Sequence, residues 1–362
     1  MSLQPGPEPL FSIAIPLFNH EAFVGATVGS VLAQDEGSFE ILVSDNASTD
    51  GSVDVVTRLA DPRIVIARNP VNVGFAPNLD RAVALGSAPR VILVSSDDLM
   101  GQGALSTYRR VINALGTEAA ERAVVTSPLA LIDEKGEPID VEEQPAPIAS
   151  LGAMDEALSR TAGVPVRRIP AAALLASAMR SMRNPLPFAS TCYPRRLWEQ
   201  TGGYLGTRIQ NPDKWFHWRL LGVASEVVYV DAPLFQYRVH RLNREKARTN
   251  AQSMKHLMDE YVTMLEASDS LLESAGMTRQ ELRAAFLRED VAKRSMVFAA
   301  TGQGLTARRY LRMGASVIGS ERWRDSWWWR ARAVVALGPL APGILGRRAG
   351  ASISASPFHS DL

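Results

Sequence analysis

Apolar positions in the first part of the chain come in short runs separated by helix-periodic stretches. Phe11-Ser12-Ile13-Ala14-Ile15-Pro16 predicts a strand, followed by a helix over about Glu21 to Ala33. Phe39 to Val43 predicts a second strand and Ser52 to Leu59 a second helix. Arg63 to Ile66 reads as a third strand, with a helix near Pro77 to Leu85. Val91 to Val94 is apolar throughout, the pattern of a strand buried on both faces of a parallel sheet. Ala123 to Thr126 reads as a fifth strand. This β-α-β-α order implies right-handed crossovers and a mostly parallel sheet. Ligands of such sheets bind beyond the strands' carboxyl ends. Pro16, Asp45 and Asp97 all fall on that edge.

The pattern then changes. Asp133 to Arg168 is acidic, then rich in Pro, Ala and Gly, and predicts a long loop. A helix over Ala171 to Met182 follows, then a strand over Phe188 to Tyr193 and a short helix from Pro194 to Gln200 that stops at Gly202-Gly203. Asp213 to Leu221 reads as a helix, and Val227 to Val230 and Leu234 to Val239 as strands. From Ala251 the pattern is helical to about Gly302 and again from Leu305 to Ile318. The expected division is a catalytic domain over 1–245, with a nucleotide-binding half at about 11–130 and an acceptor-binding half at about 170–245. A helical region over 246–362 completes it.

Charge changes this picture only by exclusion. Lys and Arg number 39 against 38 Asp and Glu, so no global field selects nucleic acid. The single cysteine, Cys192, excludes an internal disulfide framework and fits a reducing compartment. Met1 to Leu10 lacks the basic and apolar regions of a secretory signal. The best apolar stretch, Ala333 to Leu345, falls short of the ~20 residues of a membrane span and is broken by Pro339 and Pro342. The expected location is cytoplasmic, free or resting on the inner face of the membrane.

Asp97-Asp98 stands where the Val91–Val94 run stops. Adjacent carboxylates at a sheet edge repel each other and lose hydration, and a divalent cation carrying phosphate oxygens would compensate. On the residues alone the alternative is an N-cap, with Asp98 capping a helix through Leu105 to Tyr108. Asp45 ends the second strand, where a carboxylate can accept from a base N–H or a ribose hydroxyl. Asn46, Ser48, Thr49 and Asp50 are turn and cap types, with Asp50 the expected N-cap.

The ordered series Ile13-Ala14-Ile15-Pro16-Leu17-Phe18-Asn19, Ser44-Asp45-Asn46-Ala47-Ser48-Thr49-Asp50-Gly51, Asn72-Val73-Gly74-Phe75 and Ser95-Ser96-Asp97-Asp98 resembles family 2 glycosyltransferases of the GT-A fold. Gly202-Gly203-Tyr204, the stretch Pro212 to Leu220 and Tyr237-Arg238-Val239-His240 extend the resemblance, over roughly Phe11 to Asn243. It implies an α/β, Rossmann-like fold with a mixed, mostly parallel sheet, flanking helices and a C-terminal helical appendage. It also implies roles. Pro16 lies on the loop beside the nucleotide, and Asn19 joins it in the nucleotide-sugar-binding set. Asp45 recognises base or ribose. Asp97 and Asp98 position the donor's diphosphate through Mg²⁺ or Mn²⁺, with Asp98 on the metal and Asp97 towards the ribose. Asp213 is the general base, and His240 approaches the metal or diphosphate.

Ser95 and Ser44 stand where the family often carries acids, which implies a loosely held, ligand-dependent ion. Pro212 replaces the usual Glu or Gly before the base. The implied activity is inverting transfer from a UDP- or dTDP-linked sugar to a hydroxyl of a glycan or lipid-linked acceptor, in the building of cell-surface polysaccharide or glycolipid. The competing class is a non-catalytic nucleotide-sugar or glycan-binding protein that keeps the fold. A nucleotidyltransferase would need a basic, Gly-rich loop, which Pro16 to Glu21 lacks.

Other residues read more plainly. His217 is expected to pack or orient rather than act as a second base, and Trp215 and Trp218 to form core or pocket walls. Cys192 reads as a small buried apolar residue, and Arg195-Arg196 as solvent-facing. The segment Arg322 to Arg332, rich in Trp and Arg, suits either a membrane-interface helix or packing against the catalytic domain or a second subunit.

Overall fold

The structure, a computed structural model, describes residues 8–141, 146–204, 212–240 and 250–338. Parts of several expectations therefore lie outside the described residues: the start of the Met1–Leu10 segment, the end of the resemblance past His240, and Ala333 to Leu345 from residue 339 on. The chain forms two compact units, Met1–Leu175 with Asn184–His240, and Ala176–Arg183 with Arg241–Leu362.

The first unit is built on a nine-stranded mixed sheet. Its strands are β1 (Phe11–Leu17), β2 (Phe39–Asp45), β3 (Ile64–Arg68) and β4 (Arg90–Leu93), with β6, β9, β10, β11 and β12 defined below. β1 to β4 are all parallel, in the order β3-β2-β1-β4. Every residue of β1 is buried, because helices cover both faces of this half. Each buried Ile, Leu or Val contributes about 1.5–3 kcal/mol, so Phe11, Ile13, Ile15 and Leu17 anchor the core.

Pro16 lies inside β1, not on a loop, and this corrects the expected placement. Ala14 is the last β1 residue opposite β4, and Val94 N–H donates to its carbonyl. Pro16, two residues on, points its backbone to the same side, past the end of β4. Its missing N–H therefore breaks no rung.

A two-residue β5 (Leu99–Met100) follows the aspartate pair immediately. β6 (Ala123–Thr126) returns to the main sheet, and β7 (Leu129–Ile132) and β8 (Pro138–Val141) form a hairpin. The expected long loop is thus largely structured. It holds this hairpin's second strand, a helix Ala146–Leu151, β9 (Ala153–Met154), a helix Glu156–Ala162 and β10 (Val166–Pro170). The elements are too short to show a period. They are specified by local caps instead: Asp133 Oδ1 accepts from Lys135 and Glu137 N–H, and Asp155 Oδ1 from Leu158 N–H.

β11 (Cys192–Pro194) runs antiparallel between β4 and β6, and β12 (Glu226–Val230) pairs with β6 in parallel and with β10 in antiparallel. β13 (Phe235–Arg238) leaves this sheet. It pairs with β5 and β7 in a second sheet ordered β5-β13-β7-β8.

The second unit is helical. Its main helices are Asn250–Glu266, Arg279–Phe286, Arg294–Ala300, Gly304–Ile318 and Ser326–Ala336. Leu287–Lys293 continues Arg279–Phe286 as a π-helical segment. Among the described residues, no helix is long and apolar enough to cross a membrane.

Candidate active site

The carboxyl edge of β1, β2 and β4 gathers most of the residues singled out from the sequence. Leu17 and Asp45 are register partners at the ends of β1 and β2. Asp45 is fully buried, and both its oxygens accept from Ser48 N–H at 3.2 Å while Arg68 Nε lies 3.2 Å away. Asp45 therefore holds its own turn, a job the sequence assigned to its neighbours. Asn19 ties the two loops together: its N–H donates to Ser48 Oγ (3.0 Å) and its Oδ1 accepts from Thr49 N–H (2.8 Å). Asn19 and Ala47 both adopt positive φ, at 51° and 62°. Non-glycine residues hold that conformation only where surroundings over-determine it, as at ligand sites.

Asn46 extends the scaffold. Its side chain donates to Asn72 Oδ1 and Gly74 O and accepts from Val73 N–H, which fixes the Asn72–Gly74 turn. Asp50 is not itself the N-cap of the helix Ser52–Thr57; Gly51 occupies that position. Asp50 Oδ1 nonetheless accepts from Ser52 N–H, and its Oδ2 from Glu21 N–H.

Asp97 and Asp98 lie on the turn between β4 and β5. They do not cap the following helix Ala104–Leu115, whose N-cap position is Gly103. Asp97 Oδ2 accepts from His240 Nε2 at 3.0 Å and Oδ1 from Ser95 Oγ at 2.5 Å. Burial raises the Asp97 carboxyl, but these hydrogen bonds outweigh it and hold the group below its ordinary range. Asp98 is only 2 % exposed, and its Oδ1 accepts from Arg238 N–H at 3.0 Å. Burial, and then the charge of Asp97, push the Asp98 carboxyl well above its ordinary range. Its Oδ2 has no hydrogen-bond partner among the described residues.

The second sheet brings these groups together. Gln236 pairs with Leu99, one residue past Asp98, and Arg238 closes the turn by donating from Nε to Asp97 O at 2.8 Å. His240 follows two residues later, its ring stacked on Phe23 with centroids 5.2 Å apart. A second histidine, His20, lies 6.5 Å ring to ring from His240, and its Nδ1 is 2.7 Å from Ser96 Oγ. Sequence reasoning passed over His20 and Arg68. The one available signal was their place just past, or at, the carboxyl ends of β1 and β3.

Asp213 occupies the first turn of the helix Pro212–Val223. Its Oδ2 accepts from Asn184 Nδ2 at 2.8 Å, and Asn184 Oδ1 accepts from His217 Nδ1 at 2.7 Å. A hydrogen bond to the Leu186 backbone also holds the His217 ring. Burial lowers the His217 value from 6.5 to about 3, which keeps the ring neutral. His217, expected to pack or orient, lies buried beside Asn184, which in turn contacts Asp213.

The neighbouring Gly202-Gly203 turn also proves specific. A Cβ on Gly203 would lie 2.3 Å from Asp80 Oδ1, which accepts from Tyr204 N–H and Trp198 Nε1. Arg195 is not solvent-facing as expected: it donates to Ala88 O, Val83 O and Ser12 Oγ. A cavity of about 610 Å³ opens near Leu10, Arg90 and Arg195, at the amino ends of β1 and β4. Arg90 is committed there to the carbonyls of Ala120 and Ala123, so the cavity is not lined by available cations.

Among the described residues, no three His, Cys, Asp or Glu side chains converge as a preformed metal site. Asp97 and His240 do converge, and Asp98 Oδ2 is unengaged and carries a penalised charge. This oxygen-rich set fits a hard cation that arrives with further oxygen ligands of its own.

Residues 12–121 match the family model described as glycosyl transferase family 2. Over 102 residues the chain is 30 % identical to the putative colanic acid biosynthesis glycosyl transferase WcaA of Escherichia coli K12, covering 28 % of this chain and 37 % of that protein. It is 29 % identical over 110 residues to the abequosyltransferase RfbV of Salmonella typhimurium, covering 29 % and 33 %. The chain thus spans about a third of the length of the curated relatives it matches. In structure it is similar to S. aureus TarS 1-349, solved in complex with UDP-GlcNAc, with a TM-score of 0.61 and 14 % identity over 95 % of this chain and 91 % of that one. That likeness carries the fold, of GT-A type, over nearly the whole length. The similarity to glycosyl transferase family 2 is carried by residues 12–121, less than half of the chain.

Proposed function

We propose that the chain transfers a sugar from a nucleoside diphosphate donor, UDP- or dTDP-linked, to a hydroxyl of a glycan or lipid-linked acceptor, with inversion at the anomeric carbon. The observation that carries this reading is the buried Asp97–Asp98 pair with His240 at its side. Asp45 and Arg68, 3.2 Å apart at the β2 edge beside the loop tied by Asn19, are the groups we assign to the base or ribose. TarS, which shares the fold, was solved with a UDP-sugar, and this supports a uridine donor.

Asp97, Asp98 and His240 would hold Mg²⁺ or Mn²⁺ together with the donor's diphosphate. When bound, such an ion neutralises charge that builds on the leaving phosphate. The chain's own residues do the rest. Arg238 fixes the aspartate turn through its backbone N–H and Nε. Asp213 takes the proton from the attacking hydroxyl. Asn184, held by neutral His217, aims the Asp213 carboxylate by occupying its Oδ2. Attack from the face opposite the diphosphate needs no covalent enzyme intermediate, as in inverting glycoside hydrolysis.

A thermal-shift screen of nucleotide sugars with and without Mg²⁺ or Mn²⁺ tests the reading, because a ligand that binds only the folded state raises Tm. The preferred donor should raise Tm further with the ion than without it. Asp98→Ala should remove that ion-dependent part and weaken donor binding at least about tenfold. Absence of any shift with every donor and either ion would sink the proposal. A shift with no turnover on any acceptor would favour the binding-protein alternative.

A further inference from the structure

The Trp- and Arg-rich segment plays no part in the site, and the second unit presents it in an unusual state. Gly319–Arg324 forms a 3₁₀ turn that leads into the helix Ser326–Ala336, capped by Asp325 Oδ1 on Trp327 N–H at 2.7 Å. Trp323 and Trp329 pack at a tilt of 39° with centroids 5.2 Å apart and are 42 % and 50 % exposed. Trp329 Nε1 donates to Trp323 O at 3.1 Å, so the pair is held rigidly. Arg332 lies 5.3 Å from both rings, Arg322 lies 4.5 Å over Trp323, and Arg330 lies 5.1 Å over Trp327.

The charges of this face lack the carboxylate partners found along Arg279–Arg294. Arg279, Arg288, Lys293 and Arg294 each pair with a carboxylate. Arg324, Arg330 and Arg332 pair with no carboxylate among the described residues, whereas Arg322 Nη1 is taken by the carbonyls of Ala315 and Gly319. A guanidinium stacked on an indole keeps its N–H edge outward, in the planar fork that matches phosphate oxygens. Half-exposed indoles favour the boundary between headgroups and acyl chains.

We propose that this face docks the chain onto an anionic phospholipid bilayer. Trp323 and Trp329 enter the headgroup layer, and Arg324, Arg330 and Arg332 bind lipid phosphates. The contact lies on the surface, since no described helix can span a bilayer. A second copy of the chain fits poorly. A two-fold interface would set the patch against itself, and three unpaired arginines would face three more.

The test is co-sedimentation of the full chain with vesicles of phosphatidylcholine alone and of phosphatidylcholine mixed with phosphatidylglycerol, read together with tryptophan quenching by brominated lipid. Binding and quenching are expected only on the anionic vesicles, and both should weaken as salt rises. Each arginine changed to Gln should cost about fivefold in partitioning, so Arg324, Arg330 and Arg332 changed together should lose roughly a hundredfold. Trp329→Ala should remove most of the quenching, with circular dichroism reporting that the fold persists. The proposal fails if neither vesicle binds or if both bind equally. It also fails if the chain dimerises without lipid in a way that Trp329→Ala abolishes. Retention by polyphosphate with no vesicle binding would equally overturn it. This test is independent of transfer activity.

Discussion

The two carboxylate sites of the first unit are held in opposite ways. At the proposed donor edge, Asp45 and Asp98 accept from backbone N–H groups, while the Asp97 carboxylate is held by the side chains of His240 and Ser95. Asp98 accepts from Arg238 N–H, and the carbonyl of Asp97 accepts from the same residue's guanidinium. Asp213 is instead positioned by a side-chain relay, Asn184 and then His217. Backbone anchoring of Asp45 and Asp98 suits the proposed donor site, which would bind the same diphosphate at every turnover. If Asp213 is the proposed base, a side-chain relay leaves it adjustable, so its geometry can be tuned to an acceptor by changing one or two residues. This comparison can be broken by mutation.

The largest effect is expected from Asp213→Asn. Transfer should fall by about 10²–10⁴-fold, the range for a lost general base, with Kd for the nucleotide nearly unchanged by calorimetry. Normal turnover in that variant would remove the assignment. Asn184→Ala should be milder, lowering kcat by about tenfold with the donor KM unaltered, because the carboxylate stays but loses its aim. Asn184→Asp should be worse than Asn184→Ala at neutral pH, since a second charge would face Asp213. If Asn184→Ala changes donor KM and leaves kcat alone, the relay belongs to binding and the contrast between the two sites dissolves.

The smallest effect at neutral pH concerns His217, and it appears in acid. Its folded value near 3 lies below the ordinary 6.5, so between these values the unfolded chain binds the extra proton. The stability it contributes is complete above about pH 6.5 and drains away as pH falls towards 3. His217→Gln should flatten that part of the acid denaturation curve and leave the neutral Tm within a few degrees. An unchanged curve would mean the buried ring is not what titrates.

How much of this was legible in the sequence depended on the distance over which partners meet. β1, β2 and β4 could be read from local apolar runs, and with them the edge where Asp45 and Asp97 stand. Asp97 and His240 could be nominated through family resemblance, but their 3.0 Å approach is made by strand pairing across 143 positions of sequence. Asn184 carried no signal, because a lone Asn in a Pro-rich loop reads as a turn residue. Pro16 and Arg195 were misplaced for a related reason. Strand ends and buried guanidinium bonds depend on neighbours distant in sequence. The region 133–168 hid its hairpin and edge strand because elements so short show no periodicity.

The rungs joining β13 to β5 have a consequence for anyone recombining this chain with its relatives. Phe235 opposite Met100 and Gln236 opposite Leu99 set how far the returning strand travels before His240 reaches Asp97. A single inserted or deleted residue in the turn before Phe235 would slide that register and turn His240 to the opposite face, while every residue of the site remained in the sequence. Hybrids should therefore be cut before Leu99 and after His240, so that both halves of the ladder come from one parent. A chimera joined anywhere between them can keep all of its motifs and still lose its active site.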